Sequence, residues 1–327
     1  MKNTFSSILL TIILAIPTAV SHGKATVRPQ LDIERLEFYN FTQSSPLEDR
    51  IIKIPNAILK AYIQLDGNTT YRPYIPTASD KALLLAYLAL LPPVYQSVFT
   101  QRCAGIYFIK NLMGNGITTQ ILDAAGKPYF HIVLNPASLK NNLSVTLSQR
   151  ERSCYIFTGP EETVSVDAGT EYKGLAYALF HEASHGVDMV KDITPLENKR
   201  PPGTSASDKF FKQVWSTYWR PHKASDHALR DKITFYGLNG GPKIPVKYAA
   251  AVYKWLIGSP FASLYGSKSW GEDFAELATF NMITQELGQP YKIRVAARGA
   301  KPLVIEPMRS REVMSRVETI MGMLESF

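Results

Sequence analysis

The chain has 327 residues, 45% of them hydrophobic and 20% charged, with a formal net charge of +8. This composition excludes a disordered or fibrous chain and supplies the apolar side chains for one large core or two closely packed ones. The positive balance suits anionic surfaces, acidic proteins or glycans, whereas scattered basic residues that never form a run of five argue against nucleic acid as partner.

In chain order, Met1-Lys2-Asn3 gives a short basic start and Ile8 to Ile16 an apolar run too short to span a bilayer comfortably. Ala19-Val20-Ser21 offers a small-residue cleavage site, so residues 1–21 read as a secretory signal peptide and the expected location is secreted or otherwise extracytoplasmic. No later stretch is long and apolar enough for a transmembrane helix. Export makes a bond between the only two cysteines, Cys103 and Cys154, the expectation, worth roughly 3–4 kcal/mol in the chain-entropy picture. Sequons begin at Asn40, Asn68 and Asn142 and carry meaning only in a eukaryotic source.

Residues 22–102 read as an N-terminal lobe. Within it Ile51 to Leu65 is a strand or short helix, and Asp80 to Leu91 a buried helix stopped by Pro92-Pro93. Between Ala104 and Thr158 the pattern turns to short β-rich runs at Ile106–Ile109, Ile117–Leu122, Tyr129–Leu134 and Ser153–Phe157. The run at Phe130 to Leu134 is either a core strand or an edge to which an extended peptide adds. Glu171 to Val190 reads as a helix, because Leu175, Ala178, Leu179 and Ala183 recur at helical spacing. Further helices are expected at Ser207–Trp219, Tyr248–Ile257, Ser269–Leu287 and Arg309–Leu324, with a hairpin at Tyr291–Glu306. The expected fold is α+β, a small, mostly antiparallel sheet packed on the helix at 171–190 (residues 103–192) and followed by a helical half (residues 193–327).

That helix carries His181-Glu182-Ala183-Ser184-His185, an H-E-x-x-H motif. Two histidines one turn apart point the same way, so their imidazoles converge on one point, while Glu182 stands ready to take a proton from a water held there. Zinc bound so needs a third protein ligand and an open position. The best candidate is Glu272, with Glu276 one turn on to hydrogen-bond a ligating histidine. The competing reading makes Ser269-x-x-Glu272 a capping box that only closes the helix start. His131 lies in a strand that aims it either way. His222 and His227 sit in a polar stretch, solvated or, as a further alternative, supplying the third ligand.

H-E-x-x-H followed at a distance by Glu272-Asp273-Phe274-Ala275-Glu276 resembles the gluzincin metallopeptidases. The closer likeness is to the catalytic domain of anthrax lethal factor and the related secreted Pro-Pro endopeptidases, supported by Tyr265 seven residues before Glu272 and Asp188 three after His185. The resemblance spans about Ala104 to Leu287. The segment between the two helices is longer than that pattern, and the N-terminal lobe has no counterpart in it. It implies one Zn²⁺ on His181, His185 and Glu272, Glu182 as general base and then proton donor, and Tyr265 donating to the oxyanion. Asp188, one turn beyond His185, either supports the ligands by hydrogen bonding or is an exposed carboxylate. The substrate so implied is a protein or peptide; proline specificity is not carried over. Two other functions fit the same residues: a non-catalytic envelope or binding protein with a structural zinc, and an amide hydrolase acting on cell-wall peptides. Oligomeric state is not legible.

Overall fold

β-branched and aromatic residues concentrate between residues 103 and 134, and there the chain builds its main sheet. The computed structural model describes residues 31–160, 162–195, 208–296 and 301–327. The expected signal peptide lies outside the described residues. Helix α1 (Asn56–Asp66) leads to the short strand β1 (Arg72–Tyr74), and α2 (Ala78–Leu88) and α3 (Pro93–Arg102) follow. Thr77 closes the start of α2: its hydroxyl accepts from Asp80 N at 3.2 Å while the Asp80 carboxylate accepts from Thr77 N at 2.8 Å. Pro93 opens α3, where a missing N–H costs nothing, so the proline pair both ends one helix and starts the next.

Strands β2 (Cys103–Lys110), β3 (Gly116–Leu122) and β4 (Pro128–Leu134) complete a four-stranded sheet of order β1-β2-β4-β3. Within this sheet only β2 and β4 run parallel; β1 with β2 and β3 with β4 are antiparallel. Of the two readings of Phe130–Leu134, the core strand is the one observed, and the peptide-accepting edge is not. β4 is hydrogen-bonded on both sides, and Phe130, Ile132, Val133 and Leu134 are all fully buried, as in a strand covered on both faces. The edge beside it is β3. Alternation along β2 divides the core: Ile106 and Phe108 face one cluster, Tyr107 and Ile109 a second that includes Ile33, Ile54, Ile58 and Tyr62.

The chain continues through α4 (Ala137–Lys140), α5 (Leu143–Arg152), β5 (Tyr155–Ile156), β6 (Thr163–Asp167) and α6 (Leu175–Lys191). Then come α7 (Asp208–Phe211), β7 (Trp215–Thr217), β8 (Arg220–Pro221), β9 (Ile244–Pro245), α8 (Ala249–Ile257) and α9 (Trp270–Asn281). Strands β10 (Lys292–Ala296) and β11 (Leu303–Ile305) precede the last helix, α10 (Arg311–Glu325). The expected helix at Ser207–Trp219 is corrected to the single turn α7 followed by β7, because Gln213 takes a left-handed conformation, φ 63°, that a helix does not accommodate. The hairpin near residues 291–306 forms, and β10 also pairs antiparallel with β6. The fold is α+β, as composition and pattern indicate.

Cys103 and Cys154 are both free thiols, so the expected disulfide is corrected as well. Each is enclosed by its own neighbours: Cys103 Sγ donates to Gly105 O at 3.6 Å, and Cys154 Sγ sits 4.0 Å from Arg150 O. Burial pushes the Cys103 thiol up to about 12 and that of Cys154 well above its ordinary value, which keeps both protonated and unreactive. Among the described residues no helix is long and apolar enough to cross a membrane.

Candidate metal centre

Every residue of α6 from Leu175 to Asp188 is buried, because the helix is wedged between the sheet and α9. Small residues permit that approach. A Cβ on Gly186 would meet the Phe130 ring of β4 at 2.7 Å. On such a helix His181 and His185 lie one turn apart on one side, and they face the start of α9.

That start is built by Ser269, whose hydroxyl accepts from Glu272 N at 3.2 Å. The Glu272 side chain does not turn back to finish a capping box. Its Oε2 lies 3.1 Å from His181 Nε2 and 3.4 Å from His185 Nε2, and the two imidazole Nε2 atoms are 3.1 Å apart. The two readings of Glu272 are thus divided between its atoms: the backbone N–H takes the cap and the carboxylate takes the histidines. A tetrahedral zinc with bonds of roughly 2.0–2.1 Å sets its donors about 3.3 Å apart. The triangle observed here has that size. Among the described residues these three form the one group of histidine, cysteine and carboxylate side chains that could hold a metal ion.

The remaining nitrogen of His181, Nδ1, lies 2.9 Å from Glu276 Oε1. Glu276 is held in turn: Tyr177 Oη donates to Oε1 at 2.7 Å, and Arg150 Nη1 to Oε2 at 2.7 Å, joined there by the Ser263 hydroxyl. Arg150 is fully buried and also pairs with Glu151 at 2.7 Å. Burial opposes a charge on Glu276, but Arg150 and His181 outweigh it and hold the carboxyl down to about 2. Burial likewise opposes a charged His181, yet its bonds to Glu272 and Glu276 raise the imidazole to about 10. The His181 shift expresses the field of the two carboxylates, which favours positive charge at this point, whether a proton or a metal ion brings it.

Glu182 points elsewhere. Its Oε2 accepts from Thr118 Oγ1 of β3 at 2.8 Å, and the same hydroxyl donates to Glu182 O at 2.9 Å. A Cβ at Gly116, also on β3, would meet Glu182 Cγ at 2.5 Å, so a bare backbone is needed there. Burial raises the Glu182 carboxyl, partly offset by the neighbouring histidines. His181 and Glu182 line a cavity of about 20 Å³ with Gly116, Ala178, Tyr236 and Tyr265, room for about one water molecule. The Tyr265 ring is centred 5.6 Å from that of His181, and burial holds its hydroxyl in the protonated, donating form. Asn115 Nδ2 donates to Tyr236 Oη at 2.8 Å, joining two walls of the cavity.

The structure thus gathers His181, Glu182, His185, Tyr265, Glu272 and Glu276. Asp188 is not part of the cluster: its two carboxylate oxygens accept from Thr194 N and Oγ1, both at 2.6 Å, and so tie down the turn after α6. His131 is fully buried between Tyr39 Oη, 2.8 Å from Nδ1, and Tyr62 Oη, 2.8 Å from Nε2. Exposed His222 and half-buried His227 are not among the residues gathered at the centre. Sequence reasoning missed Arg150, Thr118, Gly116 and Tyr236. Arg150 stands 126 residues from Glu276, a separation at which no spacing rule operates. No family model, curated protein or solved structure matches the chain.

Proposed function

We propose that the protein is a zinc-dependent peptidase of the gluzincin type, cutting peptide bonds with Glu182 as general base. The observation that carries this reading is the coincidence of three features: a ligand triangle of zinc dimensions, a carboxylate left outside it, and a one-water cavity lined by His181 of the triangle and by that carboxylate. A purely structural site has no use for Glu182 or for that space.

His181, His185 and Glu272 would hold the metal, which when bound supplies Lewis-acid polarisation and a water acidic near neutral pH. The chain's own groups do the rest. Glu182, raised by burial towards the working range of a base, takes the proton of the attacking water and returns it to the leaving amine. Thr118 fixes its carboxylate. Tyr265 offers its hydroxyl to the oxygen that gains charge. Glu276, locked by Arg150, Tyr177 and Ser263, keeps the His181 ring from turning. Secretion remains part of the proposal through residues 1–21.

The test is metal content and cleavage side by side. Purified wild-type protein should carry one zinc per chain and cleave casein, with cell-wall material offered in parallel to detect the related amide hydrolase. His185→Ala and Glu272→Ala should each lose the metal. Glu182→Ala should keep metal and fold while the rate falls by a factor of about a thousand or more, the scale of lost proton transfer and water orientation. Wild-type protein that keeps one zinc and hydrolyses neither material would reject the enzyme reading.

A further inference from the structure

Among the described residues two larger cavities adjoin the one-water cavity, and their chemistry differs. One, of about 300 Å³, shares Asn115 and Tyr236 with it and is walled by neutral amides, including Asn111, Asn135, Asn141 and Gln149. The other, of about 330 Å³, shares Tyr265 with it and is lined by Arg220, Arg230, Lys243 and Lys268 against a single acid, Asp231.

The acids there do not neutralise the cations. Asp231 is divided between Arg220, at 2.8 Å, and Arg230, at 2.9 Å, and Arg230 leans further on Asp226 at 2.8 Å. Lys268 is only 9% exposed, and its Nζ donates to the backbone oxygen of Arg230 at 2.5 Å. Among the described residues no carboxylate lies within ion-pair distance of Lys268 or of the exposed Lys243. A buried ammonium without a counter-ion is costly. The cost shows: burial, then the charge of Arg230, push Lys268 down to about 7. An anion entering this cavity would relieve both effects, and the Ile233 and Phe235 side chains in its wall suit the methylenes that carry a carboxylate.

We propose that this cavity, set beside the catalytic centre across Tyr265, is a carboxylate-binding subsite that takes an acidic side chain of the substrate or its free C-terminus. The assignment rests on the peptidase reading for its purpose, but binding can be tested separately. The neutral cavity on the other flank makes the preference one-sided: an acid should help on one side of the cut bond and not on the other.

Labelled peptides, acetylated and amidated at their ends, would carry Glu or Gln at each position in turn, with a free-carboxylate version of each Gln peptide. Binding is measured on zinc-loaded Glu182→Gln and cleavage on wild type. At one position Glu should bind at least tenfold tighter than Gln, or the free C-terminus tenfold tighter than the amide. These two arms separate side chain from chain end. Arg220→Gln and Lys243→Gln, both at exposed positions that tolerate change, should together cut that ratio below threefold. Lys268→Met should do so too if it folds. Lys53→Gln, an exposed lysine lining none of these cavities, should leave the ratio as it is. Equal binding of Glu and Gln peptides together with equal binding of acid and amide ends overturns the subsite even if the peptides are cut. A preference spread evenly over all positions also overturns it, since that reflects net charge alone. Tight binding of the acidic peptide without cleavage by wild type leaves the subsite standing and rejects the hydrolase.

Discussion

At the scale of single residues, the centre shows how one side chain's role is set by its partners. His131 and His181 are both buried histidines, yet their protonation is driven in opposite directions. Beside His181 stand two carboxylates. Around His131 there are only hydroxyls, and they fix its tautomer: Tyr39 Oη donates to Ile33 O, so it accepts from Nδ1–H, which leaves Nε2 to accept from Tyr62. Burial then pushes His131 down to about 3. The unfolded imidazole titrates near 6.5, so it takes up a proton first as pH falls. Stability due to neutral His131 is therefore complete above about pH 6.5 and is lost progressively towards pH 3, at about 1.4 kcal/mol per pH unit. His131→Gln should accordingly lose less on acidification, by roughly 3 kcal/mol between pH 7.5 and 4.5, in urea unfolding at the two pH values. An unchanged difference between those pH values would contradict the network. That the two histidines of H-E-x-x-H belong together was plain from their spacing alone. That His131 is a core residue was not, because strand alternation gave it two equally good sides.

At the scale of elements, the site depends on how closely α6 lies against the sheet. Gly186 has no side chain where the Phe130 ring passes, whereas Gly322 in α10 has nothing within 4 Å. In both helices alanine gains up to about 1 kcal/mol of helix propensity. At Gly186 overpacking against a buried ring costs about 1–3 kcal/mol and outweighs it. Gly186→Ala should therefore destabilise and Gly322→Ala stabilise, and denaturant midpoints for the pair decide it; a shared sign would sink the packing argument. Helix α9 is fixed by a different device. Asp273, beside Glu272, receives Arg316 Nη2 of α10 at 2.5 Å and Trp215 Nε1 of β7 at 2.7 Å. The rotation of α9, and with it the aim of Glu272, is thus set by two elements distant in sequence. The pattern of 269–287 announced a helix and a cap, but could not say which way the helix would turn its carboxylate.

For the whole molecule, the metal would join α6 to α9 and so link two parts of the chain far apart in sequence. A ligand that binds only the folded state adds about 2.7 kcal/mol at a concentration a hundredfold above its dissociation constant. In a chain of this size, unfolding with about 2.1 cal/mol/K of entropy per residue, that is a shift of about 4 °C in Tm. Adding a strong chelator should lower the Tm of the metal-loaded protein by that amount, with recovery on adding zinc, and should leave His185→Ala unmoved. No shift in the wild type would mean that the triangle holds no metal in solution.

The sequence by itself determined the α+β class, the helix carrying His181, Glu182 and His185, the capped helix at Ser269 and the pairing of the C-terminal hairpin. All of these rest on local periodicity, caps and turns, whose physics acts over a few residues. Only the tertiary structure decided that Phe130–Leu134 is an inner strand, that Cys103 and Cys154 stay apart, and that Asp188 holds a turn. It alone brought Arg150 to Glu276, Thr118 and Gly116 to Glu182, and a ring of cations to the cavity beyond Tyr265. Those outcomes depend on which surfaces bury one another. Close packing and the need to satisfy buried charge act across the whole chain, and no spacing along the sequence encodes them.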